Sequence, residues 1–217
     1  MRFRDRAHAG RALGERLRDR YAGSADVLVL GLPRGGVPVA FEVARVLAAP
    51  LDVFVVRKLG VPGHEELAMG AIASGGTRVL NEAVVDALGF GEEEIARAAA
   101  VERRELGRRE RAYRGDRGPV DASGRTVILV DDGLATGSSM RAAALAVRAQ
   151  GPKRVVVAVP VAAGQTSEEL RADVDEVVCL RTPEPFYAVG AWYDDFAPTS
   201  DDEVRRLLAA AETTAVR

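Results

Sequence analysis

One stretch, Thr126 to Met140 (TVILVDDGLATGSSM), limits the fold more than any other part of the chain. An apolar, β-branched run from Thr126 to Val130 ends in two adjacent acids, Asp131 and Asp132. The chain then turns through Gly133, Leu134, Ala135, Thr136 and Gly137. From Ser138 it takes helical spacing, with Ala142, Ala143, Leu145, Ala146 and Val147 following. A short apolar run bounded by polar residues predicts a strand buried on both faces of a parallel sheet. Acids at its carboxyl end stand where open α/β sheets bind ligands. The small residues after them let backbone N–H groups approach an anion, and Thr136, Ser138 and Ser139 add hydroxyl donors and a helix N-cap. The positive end of the following helix favours a phosphate at the loop. The implied ligand has a diol or metal for the acids and a phosphate for the loop, and a ribose 5-phosphate has both. No Lys follows Gly137, so the stretch is not a P-loop.

The rest of the chain agrees with an α/β fold in which helices flank a central parallel sheet. Apolar spacing predicts an amphipathic helix over 5–21, with Ala9, Ala12, Leu13, Leu17 and Tyr21 on one face and Gly23 as its stop. Strands follow at 27–30 and 51–56, separated by a helix that ends near Leu47. The second strand runs into Arg57 and Lys58. Residues 59–66 are Gly/Pro-rich and read as a mobile loop. Short strands at 68–73 and 77–80 flank a Ser74-Gly75-Gly76 turn. Asn81 caps a helix ending near Gly89, and 91–114 form a long charged helix. After the central unit come a strand at 154–159, a helix near 166–172, a strand at 176–180 and a last helix from Asp201. A single domain spans 1–217, with its core at about 25–180 and a small hood from the N-terminal helix and residues 181–217.

Composition narrows the function classes. The net charge of −2 calls for neither nucleic acid nor an anionic membrane. No apolar stretch is long enough to span a bilayer. The N-terminus carries acids and lacks a continuous apolar region, so it does not read as a signal peptide. A cytoplasmic protein is the expectation. The one cysteine, Cys179, lies in an apolar run and reads as a small buried hydrophobe.

VILVDDGLATGSSM resembles the phosphoribosyl-pyrophosphate (PRPP) binding motif of the type I phosphoribosyltransferases. The resemblance extends over roughly residues 25–180. It implies that Asp131 and Asp132 contact the ribose 2′- and 3′-hydroxyls. Gly133, Leu134, Ala135, Thr136, Gly137 and Ser138 would wrap the 5-phosphate. It also implies that the loop after the first strand, Leu32 to Val37, binds pyrophosphate through Pro33, Arg34, Gly35 and Gly36 and often holds a non-proline cis peptide. Arg57 and Lys58, two cations ending a strand beside that loop, join the pyrophosphate and catalytic set. The aromatic tail, with Phe186, Tyr187, Trp192, Tyr193 and Phe196, lies where the family builds a hood that selects the acceptor. Trp192 and Tyr193 are candidates for stacking on a base, and core packing is the competing reading for each. Asp194 and Asp195 either read a base or are surface acids. His64, Glu65 and Glu66 are the polar content of the segment where many members carry a closing loop.

The activity implied is a pentosyltransferase of nucleotide metabolism. It moves the 5-phosphoribosyl group from PRPP to a nitrogenous base or similar acceptor and releases pyrophosphate. Mg²⁺ would arrive mainly with PRPP and water, near Asp131 and Asp132, with no permanent metal site. A homodimer is the family's common state. Two other readings stay open: a regulator that binds PRPP or a nucleotide without chemistry, and a hydrolase of a phosphosugar. The Arg-rich helix 91–114 reads as solvated or subunit-facing, with no place assigned relative to the site.

Overall fold

The computed structural model describes residues 2–61, 64–115 and 117–215, and only the backbone of residues 61, 64–68, 82, 83, 214 and 215. Two sheets organise it. The larger holds β1 (Val27–Gly31), β2 (Leu51–Val53), β6 (Thr126–Val130), β7 (Arg154–Val161) and β8 (Glu176–Arg181) in the order β2-β1-β6-β7-β8. Every neighbouring pair in it is parallel. The smaller is an antiparallel sheet of β3 (Val56–Val61), β4 (His64–Ala73) and β5 (Arg78–Leu80).

Helices α1 (Arg6–Tyr21), α2 (Gly36–Leu47), α3 (Glu82–Leu88), α4 (Glu92–Arg114), α5 (Ser138–Arg148), α6 (Gly164–Leu170) and α7 (Asp201–Ala215) complete the chain. Every residue of β1 and of β6 is buried. Their unbroken apolar spelling has a physical cause: one apolar cluster packs against each face of the parallel sheet. From β1 the chain moves outward to β2, then returns to the other side of β1 with β6. The carboxyl ends of β1 and β6 therefore form a topological switch point, the crevice where sheets of this kind take ligands. Register closes it tightly, because Gly31 pairs with Val130 and the Leu32 amide donates to the Val130 carbonyl at 2.9 Å.

Three expectations are corrected. The strand read as 51–56 is two strands, and the chain leaves the parallel sheet at Phe54 and Val55 to start the antiparallel one. Both residues are fully buried, so the apolar run is continuous and its break is invisible in hydropathy. The segment read as a loop at 59–66 mostly extends the β3–β4 hairpin, with Val61 paired to His64. Pro62, Gly63 and the side chains of His64, Glu65 and Glu66 lie outside the described residues. Helix α4, which had no place, packs on β3, β4 and α7. Ile95, Ala99, Leu106 and Tyr113 form its buried face. Its last residue, Arg114, makes a two-pronged bond to Asp52 of β2, at 3.0 and 2.9 Å.

Candidate functional site

The first loop leaves β1 through Leu32 and enters α2 at Gly36. Its Pro33–Arg34 peptide is cis. Gly35 and Gly36 need their missing side chains for space. A Cβ on Gly36 would sit 2.7 Å from the Val130 carbonyl oxygen and 2.8 Å from the Asp131 Cα. A Cβ on Gly35 would overlap the Asp132 carboxylate, with the carboxyl carbon only 2.8 Å away. Gly35 itself has an ordinary helical backbone, φ −61° and ψ −32°, so close approach and not a special conformation explains it. The loop expected to bind pyrophosphate thus lies directly on the acid pair. Arg34 projects outward, half exposed, with Asp201 of α7 at 3.9 Å.

The acids are partly satisfied from within. Asp131 accepts the Asp132 amide at 2.8 Å, and its other oxygen, Oδ2, takes no hydrogen bond from any described residue. Burial pushes the Asp131 carboxyl well above the usual carboxylate range, and the neighbouring Asp132 charge adds to this. Part of the residue surface remains open, so the desolvation comes from the protein packed around the carboxyl rather than from full enclosure. Asp132 is also pushed up by burial, against the pull of Arg6. The Arg6 Nε donates to Asp132 Oδ2 at 2.9 Å, and the two side chains are 13% and 15% exposed.

The loop after β6 divides its work. Leu134 is structural: it is buried, its amide donates to Val161 at 2.9 Å, and its carbonyl accepts from Ala163. Gly133 is held under Val189, whose Cγ1 lies 2.5 Å from a would-be Cβ. Gly137 adopts φ +69°, and its would-be Cβ meets Thr166 at 2.6 Å. Thr166 also fixes the loop by donating to the Ala135 carbonyl at 2.6 Å. The amides from Ser138 onward open α5, and the first turn of a helix has N–H groups without intrahelical acceptors. Thr136 and Ser138, whose hydroxyls lie 3.1 Å apart, stand beside them. The loop therefore presents open amides and hydroxyls on a rigid backing.

Arg57 and Lys58 part company. Consecutive strand residues point to opposite faces. Arg57 turns to α4, where its Nε donates to Glu102 at 2.7 Å. Lys58 is exposed and lines a cavity of about 480 Å³ together with Thr136, Ser138, Asn81 and Arg141. The two cations expected beside the Leu32–Val37 loop are thus separated, with Arg57 bonded to α4 and Lys58 in a cavity shared with the loop after β6. The hood is corrected in the same way. Tyr193 is 3% exposed, packs between Phe3 and Phe196, and donates its hydroxyl to the Asp132 carbonyl at 2.6 Å. It supports the acid pair from behind and offers no open face for stacking. Trp192 is half-buried, and its buried indole N–H meets no acceptor among the described residues. Asp194 and Asp195 are exposed. Their amides donate to the carbonyls of Phe3 and Arg4, which stitches the tail to the N-terminal segment. Cys179 donates to the Arg181 carbonyl at 3.1 Å, and burial raises its thiol pKa.

The residue that sequence reasoning missed is Arg6. Only its place at the start of an amphipathic helix was visible. Its partners, Asp132, Ala197 and Phe196, lie more than a hundred residues away.

A five-stranded parallel sheet flanked by helices, with an acid pair and a small-residue loop at its switch point, has the phosphoribosyl transferase architecture, and the comparisons with known proteins give the same family. The chain belongs to the phosphoribosyl transferase domain family, which it matches over residues 5–194. Two curated relatives, from Mycobacterium tuberculosis strains CDC 1551 and H37Rv, are 50% identical over 212 residues, and their names assign them provisionally to the phosphoribosyl transferases. The match covers 96% of this chain and 47% of theirs, so the chain spans about half the length of these relatives. The crystal structure of TT1426 from Thermus thermophilus superposes with a TM-score of 0.87 at 48% identity, covering 97% of this chain and 99% of that one.

Proposed function

We propose that the chain transfers the 5-phosphoribosyl group of PRPP to a nitrogen acceptor and releases pyrophosphate. One observation carries the reading: Gly35 and Gly36 of the first loop rest on Asp132 and Asp131, which stand next to the α5 cradle. Two anion-suited loops and a diol-suited acid pair thus share the carboxyl edge of β1 and β6, in the order that the pyrophosphate, ribose and 5-phosphate of PRPP require. Asp131 Oδ2 accepts from a ribose hydroxyl, and Asp132 stands beside it. Amides and hydroxyls from Ala135 to Ser138 hold the 5-phosphate, with Lys58 as a facing cation. The backbone from Pro33 to Gly36 holds pyrophosphate.

In the reaction the bond from C1 to the pyrophosphate oxygen breaks, and the electron pair leaves with pyrophosphate. The acceptor nitrogen forms the new C1–N bond and gives up its proton to the released pyrophosphate or to water. No strong base is demanded. Stabilising the departing charge and excluding water matter most. Among the described residues no group of three or more His, Cys, Asp or Glu could hold a metal ion. Two adjacent carboxylates fit Mg²⁺ that is bound chiefly by substrate phosphates and water. Bound there, Mg²⁺ supplies charge neutralisation to the leaving group. Among the described residues no helix is long and apolar enough to cross a membrane, and a cytoplasmic setting suits a PRPP-dependent enzyme.

Thermal unfolding with Mg²⁺ plus PRPP, against Mg²⁺ plus ATP and Mg²⁺ plus ribose 5-phosphate, tests the donor. At 100 times its dissociation constant PRPP adds about 2.7 kcal/mol. A pyrophosphate-release assay across a panel of bases then tests transfer. No stabilisation by millimolar PRPP refutes the reading. Binding without release leaves a regulator, and PRPP turnover without an acceptor leaves a hydrolase.

A further inference from the structure

We infer that Arg6 is a positioning residue for the acid pair, and that it couples the terminal hood to the ligand edge of the sheet. The inference rests on the proposed PRPP site. Arg6 is the first residue of α1, and three attachments converge on its guanidinium. Nε donates to Asp132 Oδ2 at 2.9 Å. Nη1 donates to the Ala197 carbonyl at 2.7 Å. The guanidinium plane lies over the Phe196 ring, with its central carbon 3.9 Å from the ring centroid. The planar fork of an arginine makes these contacts together, whereas an ammonium has neither the fixed fork nor the flat face that stacks on the ring.

Asp132 is gripped on every side. Its amide donates to Asp131, its carbonyl accepts from Tyr193, and its carboxylate lies between Gly35 and Arg6. Tyr193 is fixed in turn by Phe3 and Phe196. The segment from Trp192 to Ala197 and the residues from Phe3 to Arg6 therefore act as one strap. The strap meets Asp132 at two points, the Tyr193 hydroxyl on its backbone carbonyl and Arg6 on its carboxylate, and only Arg6 holds the side chain. Without Arg6, a largely desolvated carboxylate beside Asp131 has no counter-charge among the described residues. Asp132 is then free to turn away from Asp131, and that spoils the hydroxyl-binding geometry of the pair.

The test is a double-mutant cycle on PRPP affinity, read by calorimetry with Mg²⁺ present, using Arg6→Met, Asp132→Asn and the double variant. Unfolding curves on each protein confirm folding. Arg6→Met keeps the stem over Phe196 and removes the fork. A folded Arg6→Met should bind PRPP about tenfold more weakly, since coupled contacting groups carry roughly this much. Arg6→Lys should recover part of the loss, which a packing role for the stem does not predict. The double variant should be little worse than the weaker single. Should Arg6→Met fail to fold, the comparison of Arg6→Lys with wild type decides, with several-fold weaker binding expected. The role is overturned if a folded Arg6→Met or, in its absence, Arg6→Lys binds PRPP as wild type does. It is equally overturned if the two single losses add in full. A wild-type protein that binds PRPP while Arg6 variants are unaffected sinks only this role. A wild-type protein that binds none sinks the donor assignment and this role together.

Discussion

Gly35→Ala asks whether the first loop rests on the acid pair. The new methyl would stand 2.8 Å from the Asp132 carboxyl carbon and 3.4 Å from Arg6 Nε. Carbon atoms in contact prefer about 3.5–4.0 Å, so the carboxylate must move by most of an ångström. Its site is walled by the Tyr193 bond behind and Arg6 in front, which leaves little room to give. Overpacking of this kind costs about 1–3 kcal/mol, and weakening a bond between charged groups adds about 1.5 kcal/mol. Gly35 has helical angles that Ala accepts readily, and replacing Gly at such a position returns about 0.5–1 kcal/mol through the unfolded state. The net loss is about 1.5–4 kcal/mol, or roughly 3–16 °C in melting temperature for a chain of this size. The assay is thermal unfolding by circular dichroism without ligand, with Gly118→Ala as control. A Cβ on Gly118 meets nothing within 4 Å. If Gly35→Ala melts with wild type and the control, the loop does not press on Asp132, and the geometry behind the proposed site is wrong.

Other substitutions probe separate contacts. Lys58→Met should weaken PRPP binding about tenfold, while Arg57→Met leaves it nearly unchanged, because only Lys58 shares a cavity with Thr136 and Ser138. Equal effects of the two in a binding titration would contradict the opposite facing of these residues. Asp131→Asn should raise the melting temperature of the ligand-free protein near pH 7.5. The native carboxyl keeps its proton to higher pH than the unfolded chain does, so the native state binds more protons between the two pKa values and stability falls as pH rises through that window. The gain from Asn should shrink as pH drops toward 4, and a destabilised variant at pH 7.5 would show that the site is not strained in this sense. Arg114→Met should cost about 3 kcal/mol in urea unfolding, since it strands Asp52 beside the edge of the parallel sheet, with the pair only 6% and 16% exposed. A loss under about 0.5 kcal/mol would class the pair with ordinary surface bridges.

The sequence made some of this legible because it is local. The β6 run, the acids, the small-residue turn and α5 follow one another within a few residues, and each step has its own chemical signal. Asn81 is similar: it caps α3 by accepting the Val84 amide. What stayed hidden depends on partners far along the chain. Phe54 and Val55 look like strand interior, yet they mark a change of sheet, since only pairing decides where β2 ends and β3 begins. Residues 59–61 spell a loop by composition, and β4 opposite them makes a hairpin. Tyr193 reads as a ring available to a ligand until Phe3, from the other end of the chain, covers it. Arg6 is one charge among many in a helix, and it gains meaning only beside Asp132, 126 positions later.

The bond from Arg6 to Ala197 links residues 191 apart in the chain. The central strands from β1 to β8 are all translated before the segment that completes this strap. During synthesis from the N-terminus, a sheet with its apolar clusters can therefore assemble while the ligand edge is still unfinished. On the proposed reading the strap completes the ligand edge by a long-range closure, and closures of this span are the slow ones. On that reading the parallel sheet is in place before the strap reaches across to hold the acid pair.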